Sequence, residues 1–199
     1  MTMKNGTSQY VVRPLVSSDL AALRDLHTAL LPMRYPSSFF MSLLLQRDRL
    51  CLVACPKGAL SKIVAFVSAL RHDCTSQTCE FSTSTNLDRP PRPPEPHVEI
   101  LTLGVLREHQ HHGLAQHLVH TAASALLPGR KVVLGADVDG TPHGVLVQAH
   151  VSAVNDSARR FYERLGLRTR ERIANAYRVS TISGCRDAYL VVGRVNCAA

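Results

Sequence analysis

The chain has 199 residues, 45% of them hydrophobic and 19% charged, which suits one domain with a sizeable core. No apolar run reaches the roughly 20 residues of a membrane-spanning helix, and the polar residues 1–10 carry no apolar signal core, so secretion is not expected. The formal charge of +8 favours anionic partners, yet the arginines are scattered and no basic helix or aromatic-basic interleaving marks a nucleic-acid module. The charge reads first as a field for a phosphate-bearing cofactor and second as a weak affinity for ribosomal RNA.

Residues 10–16 read as a first strand. Ser17, Ser18 and Asp19 offer N-caps to a helix on which Leu20, Leu23, Leu26 and Leu30 recur at helical spacing. Two prolines make residues 31–36 a loop, and Ser37 or Ser38 can cap a second helix from Phe39 to about Arg47. Residues 50–54 and 63–70 are strands joined by a turn with Pro56, Lys57 and Gly58. Cys51 and Cys55 fall in an apolar run and read as small core hydrophobes. Cys74 and Cys79 could pair or bind metal, but no CxxC occurs, so no zinc site of the usual spacing is expected and a reduced, intracellular protein is the simplest reading.

Residues 73–97 are Ser/Thr-rich and then Pro-rich. They read as an inserted, solvent-exposed loop, with docking of the PxxP content in an SH3-type groove as the alternative. Residues 98–106 form a strong strand, followed by a glycine loop and a helix from about Gly113 to Leu127, stopped by Pro128-Gly129. Residues 131–144 are partly loop, and 145–151 are a strand. Asn155-Asp156-Ser157 cap a helix that runs to Leu165 and stops at Gly166. Residues 168–178 and 189–195 supply the last strands. Strands and helices interleave, so the class is mixed α/β in a single domain, 1–199, with its core at 9–195.

The chemistry centres on Gln110-His111-His112-Gly113-Leu114-Ala115, between a strand and a helix. Glycine lets the backbone approach an anion, and the helix N-terminus aims free N–H groups at it, which holds a pyrophosphate without a lysine. The alternative is an ordinary strand-to-helix turn with a close-packing glycine. His109, His111, His112, His117 and His120 invite a metal, but no acidic or cysteine partner stands nearby, and no metal is expected. Partial positive charge around phosphates is the more economical role.

Leu101-Thr102-Leu103-Gly104-Val105 followed by Gln110–Ala115 resembles the coenzyme A-binding motif of the GNAT acetyltransferases. Residues 150–167, with Asn155-Asp156-Ser157-Ala158 and Phe161-Tyr162, resemble that family's next strand and helix. The resemblance implies a GNAT fold, a mixed and mostly antiparallel sheet flanked by helices, with acetyl-CoA as co-substrate. It implies cofactor contacts from Leu103, Val105, Gln110, His111, His112, Gly113, Leu114, Ala115, Asn155 and Tyr162. Asn155 reads equally as a helix N-cap, and Tyr162 as a core residue beside Phe161.

Within the family the residues resemble protein N-terminal acetyltransferases, and among these the NatE catalytic subunit. Leu31-Pro32-Met33-Arg34-Tyr35 is similar to the loop that lines its pocket for a substrate's first residues, and Asn175-Ala176-Tyr177 lies where such enzymes have Asn-Tyr-Tyr. The resemblance implies acetyl transfer to the α-amine of nascent or mature protein N-termini that begin Met-Leu or similarly. Leu31, Pro32 and Met33 would form an apolar cleft, and Tyr35 and Tyr177 would hold the substrate backbone. His150 stands at the catalytic histidine position, and a histidine suits a base at neutral pH. Glu99 stands where a tyrosine is usual and would share or replace that tyrosine's role; its alternative is a surface strand glutamate. Tyr162 would protonate the leaving thiolate. The Golgi-associated relative anchors through a C-terminal extension, whereas this chain stops at Ala199, so a cytoplasmic location, with the nucleus open, and no membrane attachment are expected. Association with a NatA-type complex and the ribosome stays open. The competing readings are a lysine or small-amine acetyltransferase and a weakly active subunit of a larger complex.

Overall fold

A computed structural model describes residues 6–31, 33–73, 95–127, 144–177 and 184–196. In chain order these hold β1 (Tyr10–Pro14), α1 (Leu20–Leu30), α2 (Ser37–Leu45), β2 (Arg49–Pro56), β3 (Ala65–His72) and β4 (His97–Val105). Then follow α3 (Leu114–Leu126), β5 (Val145–Ser152), α4 (Asp156–Arg164), β6 (Arg168–Ile173) and β7 (Ala188–Val195). Pro32, most of the proline-rich insert with Cys74 and Cys79, the helix stop at Pro128-Gly129 and the 131–143 stretch lie outside the described residues.

The strands form one seven-stranded sheet in the order β1-β2-β3-β4-β5-β7-β6. Every neighbouring pair is antiparallel except β4 and β5, which run parallel. Period-two alternation sorts each strand between two cores. Leu52, Ala54, Val67, Val98, Ile100 and Val147 pack with Leu114, Leu118 and Val119 of α3 on one face. Cys51, Val53, Cys55 and Phe66 pack with Leu23, Leu26, Phe40 and Leu43 of α1 and α2 on the other. Both β2 cysteines are therefore core residues, and burial pushes the Cys51 thiol up to about 12.

Three local differences from the sequence expectation have physical causes. Asp19 takes the N-cap position of α1 but makes no cap bond. Its carboxylate instead accepts from both terminal nitrogens of Arg13, at 2.6 and 2.9 Å, and from the backbone N–H of Val16 at 3.1 Å, charge-assisted bonds stronger than a cap. The second helix starts earlier, at Ser37, because Pro36 sits in the extended N-cap position. It ends at Leu45, where Gln46 turns extended towards β2. The sixth strand ends at Ile173 rather than continuing to 178, as Asn175 adopts a positive φ of 53° and turns the chain.

The feature that matters for function is a bulge. Ser68 pairs with Thr102 and Ala69 with Ile100, so Leu101 is an extra residue in β4. A bulge bends its strand and increases local twist. β4 and β5 pair only from Val98↔Val147 to Ile100↔Ala149; beyond the bulge β4 runs on to Val105 and β5 to Ser152 without pairing to each other. The sheet thus opens as a wedge at the carboxyl ends of its two parallel strands, where α/β sheets hold ligands.

Candidate active site

The connection from β4 to α3 ends at one mouth of the wedge. Gly113 is the N-cap of α3 with φ 78°, and His111 also has a positive φ of 63°. A side chain at Gly113 would strain this left-handed conformation. No side chain caps the helix, so the first-turn N–H groups of Leu114, Ala115 and Gln116 are available to an anion. His111, His112 and Gly113 are exposed, whereas Leu114 is buried and locks the helix start into the core. The Gln110 side chain donates to the Val105 carbonyl at 2.9 Å. It braces the loop against the end of β4.

On the opposite sheet face three strands bring one carboxylate and two imidazoles together. Glu99 of β4 accepts from His72 Nε2 of β3 at 2.7 Å and meets His150 Nδ1 of β5 at 3.2 Å. Alternation explains the placement. Val98 and Ile100 face α3, so Glu99 faces away, as do His72 beyond Ala69 and His150 between Ala149 and Val151. The Glu99 side chain is 17% exposed and each histidine side chain 37%. Burial alone would raise the Glu99 pKa, but the bonds to His150 and His72 outweigh it and hold the carboxyl below its usual value. His97 stacks on His72 at 4.7 Å between ring centroids and is kept neutral chiefly by burial. Glu99 is thus no solitary surface glutamate.

His72 is the residue that sequence reasoning missed. Its contact with Glu99 depends on the register between β3 and β4, which are separated by the long insert. Period-two alternation could have put it on the same face as Phe66, but not beside Glu99.

Three tyrosines expected at the site come from separate segments. Tyr35 follows α1, Tyr177 precedes β7, and Tyr162 lies on α4. Burial, and then Tyr177, push the Tyr35 phenol up to about 12, and the same two influences raise Tyr162. Tyr162 is buried beside Phe161, 5.1 Å between ring centroids, so it is a core residue whose phenol stays protonated. Asn155 is the helix cap: its Oδ1 accepts from Ala158 N at 3.0 Å and from Ser157 Oγ at 2.9 Å. Leu31 and Met33 are half-buried next to Tyr35. Among the described residues no group of three or more His, Cys, Asp or Glu could hold a metal ion; His120 instead meets the carbonyl of Asn196 at 2.6 Å.

A strand that splits from its parallel neighbour at a bulge, leading into an uncapped helix with a left-handed glycine, agrees with a family match over residues 20–167 to the Acetyltransferase (GNAT) family. The chain belongs to the GNAT acetyltransferases. No curated protein matches it in sequence. Among solved structures, Arabidopsis thaliana NAA60 in complex with acetyl-CoA is 27% identical, covers 93% of this chain and 98% of its own, and superposes with a TM-score of 0.69. The same protein with a bisubstrate analogue is 29% identical over 94% and 99%, with a TM-score of 0.67. Arabidopsis thaliana Naa50, in complex with the bisubstrate analogue CoA-Ac-MVNAL, is 18% identical over 92% and 97% and shares the fold, with a TM-score of 0.64. As a GNAT acetyltransferase the chain uses acetyl-CoA as its co-substrate, and the wedge and the uncapped start of α3 suit a phosphate-bearing thioester.

Proposed function

We propose that this GNAT acetyltransferase acts on the N-terminal α-amine of proteins, with Met-Leu-like N-termini as its acceptors. The observation that supports the reading is the placement of Tyr35 in the loop after α1, half-buried beside the half-buried Leu31 and Met33, where the resemblance expects the acceptor. Tyr35 and Tyr177 would hydrogen-bond the backbone of an extended peptide, and Leu31 and Met33 would add an apolar wall for a methionine; Pro32, expected in that wall, lies outside the described residues. The likeness to NAA60 supports it.

The acceptor amine must lose a proton to attack the thioester carbonyl, and the departing thiolate must gain one. The Glu99–His150 contact supports a division of the parts. A carboxylate accepting Nδ1–H fixes the tautomer of His150 and leaves Nε2 with its lone pair, so His150 takes the proton, directly or through a water. Glu99, held below its usual pKa, is a weak acceptor and serves to orient and stabilise the imidazolium. Tyr162 has the protonation state that a donor to the thiolate needs. Backbone N–H groups from His111 to Ala115 would hold the pyrophosphate, Leu103, Val105 and Asn155 would flank the pantetheine arm, and Gln110 would brace the loop.

The test is incubation of a Met-Leu peptide with acetyl-CoA, read by mass spectrometry beside an α-blocked lysine peptide and spermidine. Acetylation of the free α-amine alone supports the reading. Transfer only to lysine or spermidine, or none from folded protein, overturns it.

A further inference from the structure

A second concavity lies apart from the Glu99 cluster. A cavity of about 340 Å3 is lined by Arg24, His27 and Thr28 of α1, by Phe40 of α2 and by the connection between them, Met33 to Tyr35. Its volume falls within the roughly 300–1,000 Å3 of small-molecule sites. His27 is only 2% exposed, stacks on Phe66 at 4.1 Å, and its Nδ1 has no hydrogen-bond partner among the described residues. A buried imidazole nitrogen without a partner is costly and calls for one.

The polar groups of the lining set the character of that partner. Ser68 Oγ and Thr102 Oγ1 are 2.5 Å apart, and Thr102 Oγ1 lies 3.5 Å from His27 Nε2. Either hydroxyl can donate in that pair and Nε2 can donate or accept, so Nδ1 is a donor in one tautomer of the neutral ring and an acceptor in the other. The Thr28 hydroxyl is already spent on the Arg24 carbonyl at 2.9 Å. Arg24, its guanidinium 5.7 Å over the Phe40 ring, and Arg34 have no acidic partner among the described residues. The lining offers two guanidinium groups, a phenol and an imidazole, and no carboxylate. Such a set fits a carboxylate, which accepts only. Met33 and Tyr35 of this lining also belong to the loop proposed above to receive the acceptor.

We propose that the cavity receives the carboxylate of an acidic side chain close behind the acceptor's N-terminus, so that the protein prefers acidic residues there. This rests on the N-terminal acetyltransferase reading. It commits Arg24, Arg34 and His27 to specificity and leaves proton transfer to His150 and Glu99.

The test is a peptide panel beginning Met-Leu, with Glu, Gln or Lys at the third or fourth position, compared by kcat/KM. Glutamate is expected to exceed glutamine by roughly tenfold at one of these positions, with lysine lowest, the worth of one charge-assisted bond set. Arg34→Gln, in an exposed loop, and the double variant Arg24→Ala with Arg34→Ala should bring the glutamate peptide towards the glutamine value, with the melting temperature as the check on folding. Equal values for glutamate and glutamine in the wild-type protein overturn the proposal while leaving the function above in place. Failure to acetylate any peptide removes the reading beneath it. A thermal shift by free glutarate without a Glu/Gln difference assigns the cavity to a free carboxylate and overturns the peptide assignment.

Discussion

The loop before α3 and the Glu99 cluster lie on opposite faces of one sheet and are built by different means. The loop is mostly backbone: a left-handed glycine, a second positive φ at His111 and a row of uncapped N–H groups. The side chains of Gln110, His111 and His112 are exposed, and Gln110 bonds back to the Val105 carbonyl at the end of β4. The cluster is side chain throughout, one residue from each of β3, β4 and β5. A backbone site should tolerate most substitutions and fail at the glycine, whereas a side-chain site should fail at each member in proportion to its nearness to the proton.

The largest effects are therefore expected in the cluster. His150→Ala and Glu99→Gln should each lower kcat by ~10²–10³, the usual worth of a positioned acid-base group, with the KM for acetyl-CoA changed little. Steady-state kinetics beside a melting curve measures this. A Glu99→Gln protein with wild-type kcat would remove the carboxylate from the mechanism and return Glu99 to a surface role.

Next in size is Gly113. A non-glycine residue at φ 78° costs roughly 1–2 kcal/mol, so Gly113→Val should weaken acetyl-CoA binding about tenfold. Isothermal titration reads the affinity, and kcat at saturating acetyl-CoA should stay near wild type. A variant that lost kcat but kept affinity would break the division between the two regions.

His72→Ala tests how far the cluster extends. His72 lies on the far side of Glu99, so its loss should lower kcat by only several-fold. The titration of Glu99 is the sharper readout. Hydrogen bonds from both histidines depress the Glu99 pKa, so the carboxylate is charged at neutral pH and protonates only as the pH falls. Removing His72 removes one depressing partner, so the Glu99 pKa should rise, as an NMR titration of its carboxyl carbon would read. An unmoved titration would make His72 a packing residue only.

This contrast also explains what the sequence could reveal. The β4-loop-α3 unit was legible because its signals are local: apolar alternation in the strand, a glycine at the turn, helical spacing after it. The role of Asn155 as a cap was legible for the same reason. The bulge at Leu101 was not, because a bulge exists only relative to a partner strand. His72 was hidden likewise, since the insert carries no signal of the register it spans. Asp19 misled in the opposite direction. Its local chemistry promised a cap, and a residue on β1, Arg13, claimed it.

The smallest expected effect tests the backbone argument most directly. His111 and His112 stand where the resemblance led to an expectation of charge around phosphates, yet both are exposed. An exposed group faces high dielectric and screening, and such pairs contribute typically ~0.2–1 kcal/mol. His111→Ala and His112→Ala should therefore each change acetyl-CoA affinity by no more than about threefold to fivefold. His111→Gly should bind at least as well as His111→Ala, because glycine adopts the left-handed φ of 63° without strain. A loss of tenfold or more in both His111→Gly and His111→Ala would mean that the imidazole itself grips the phosphate, and the loop would then belong, like the Glu99 cluster, to sites made by side chains.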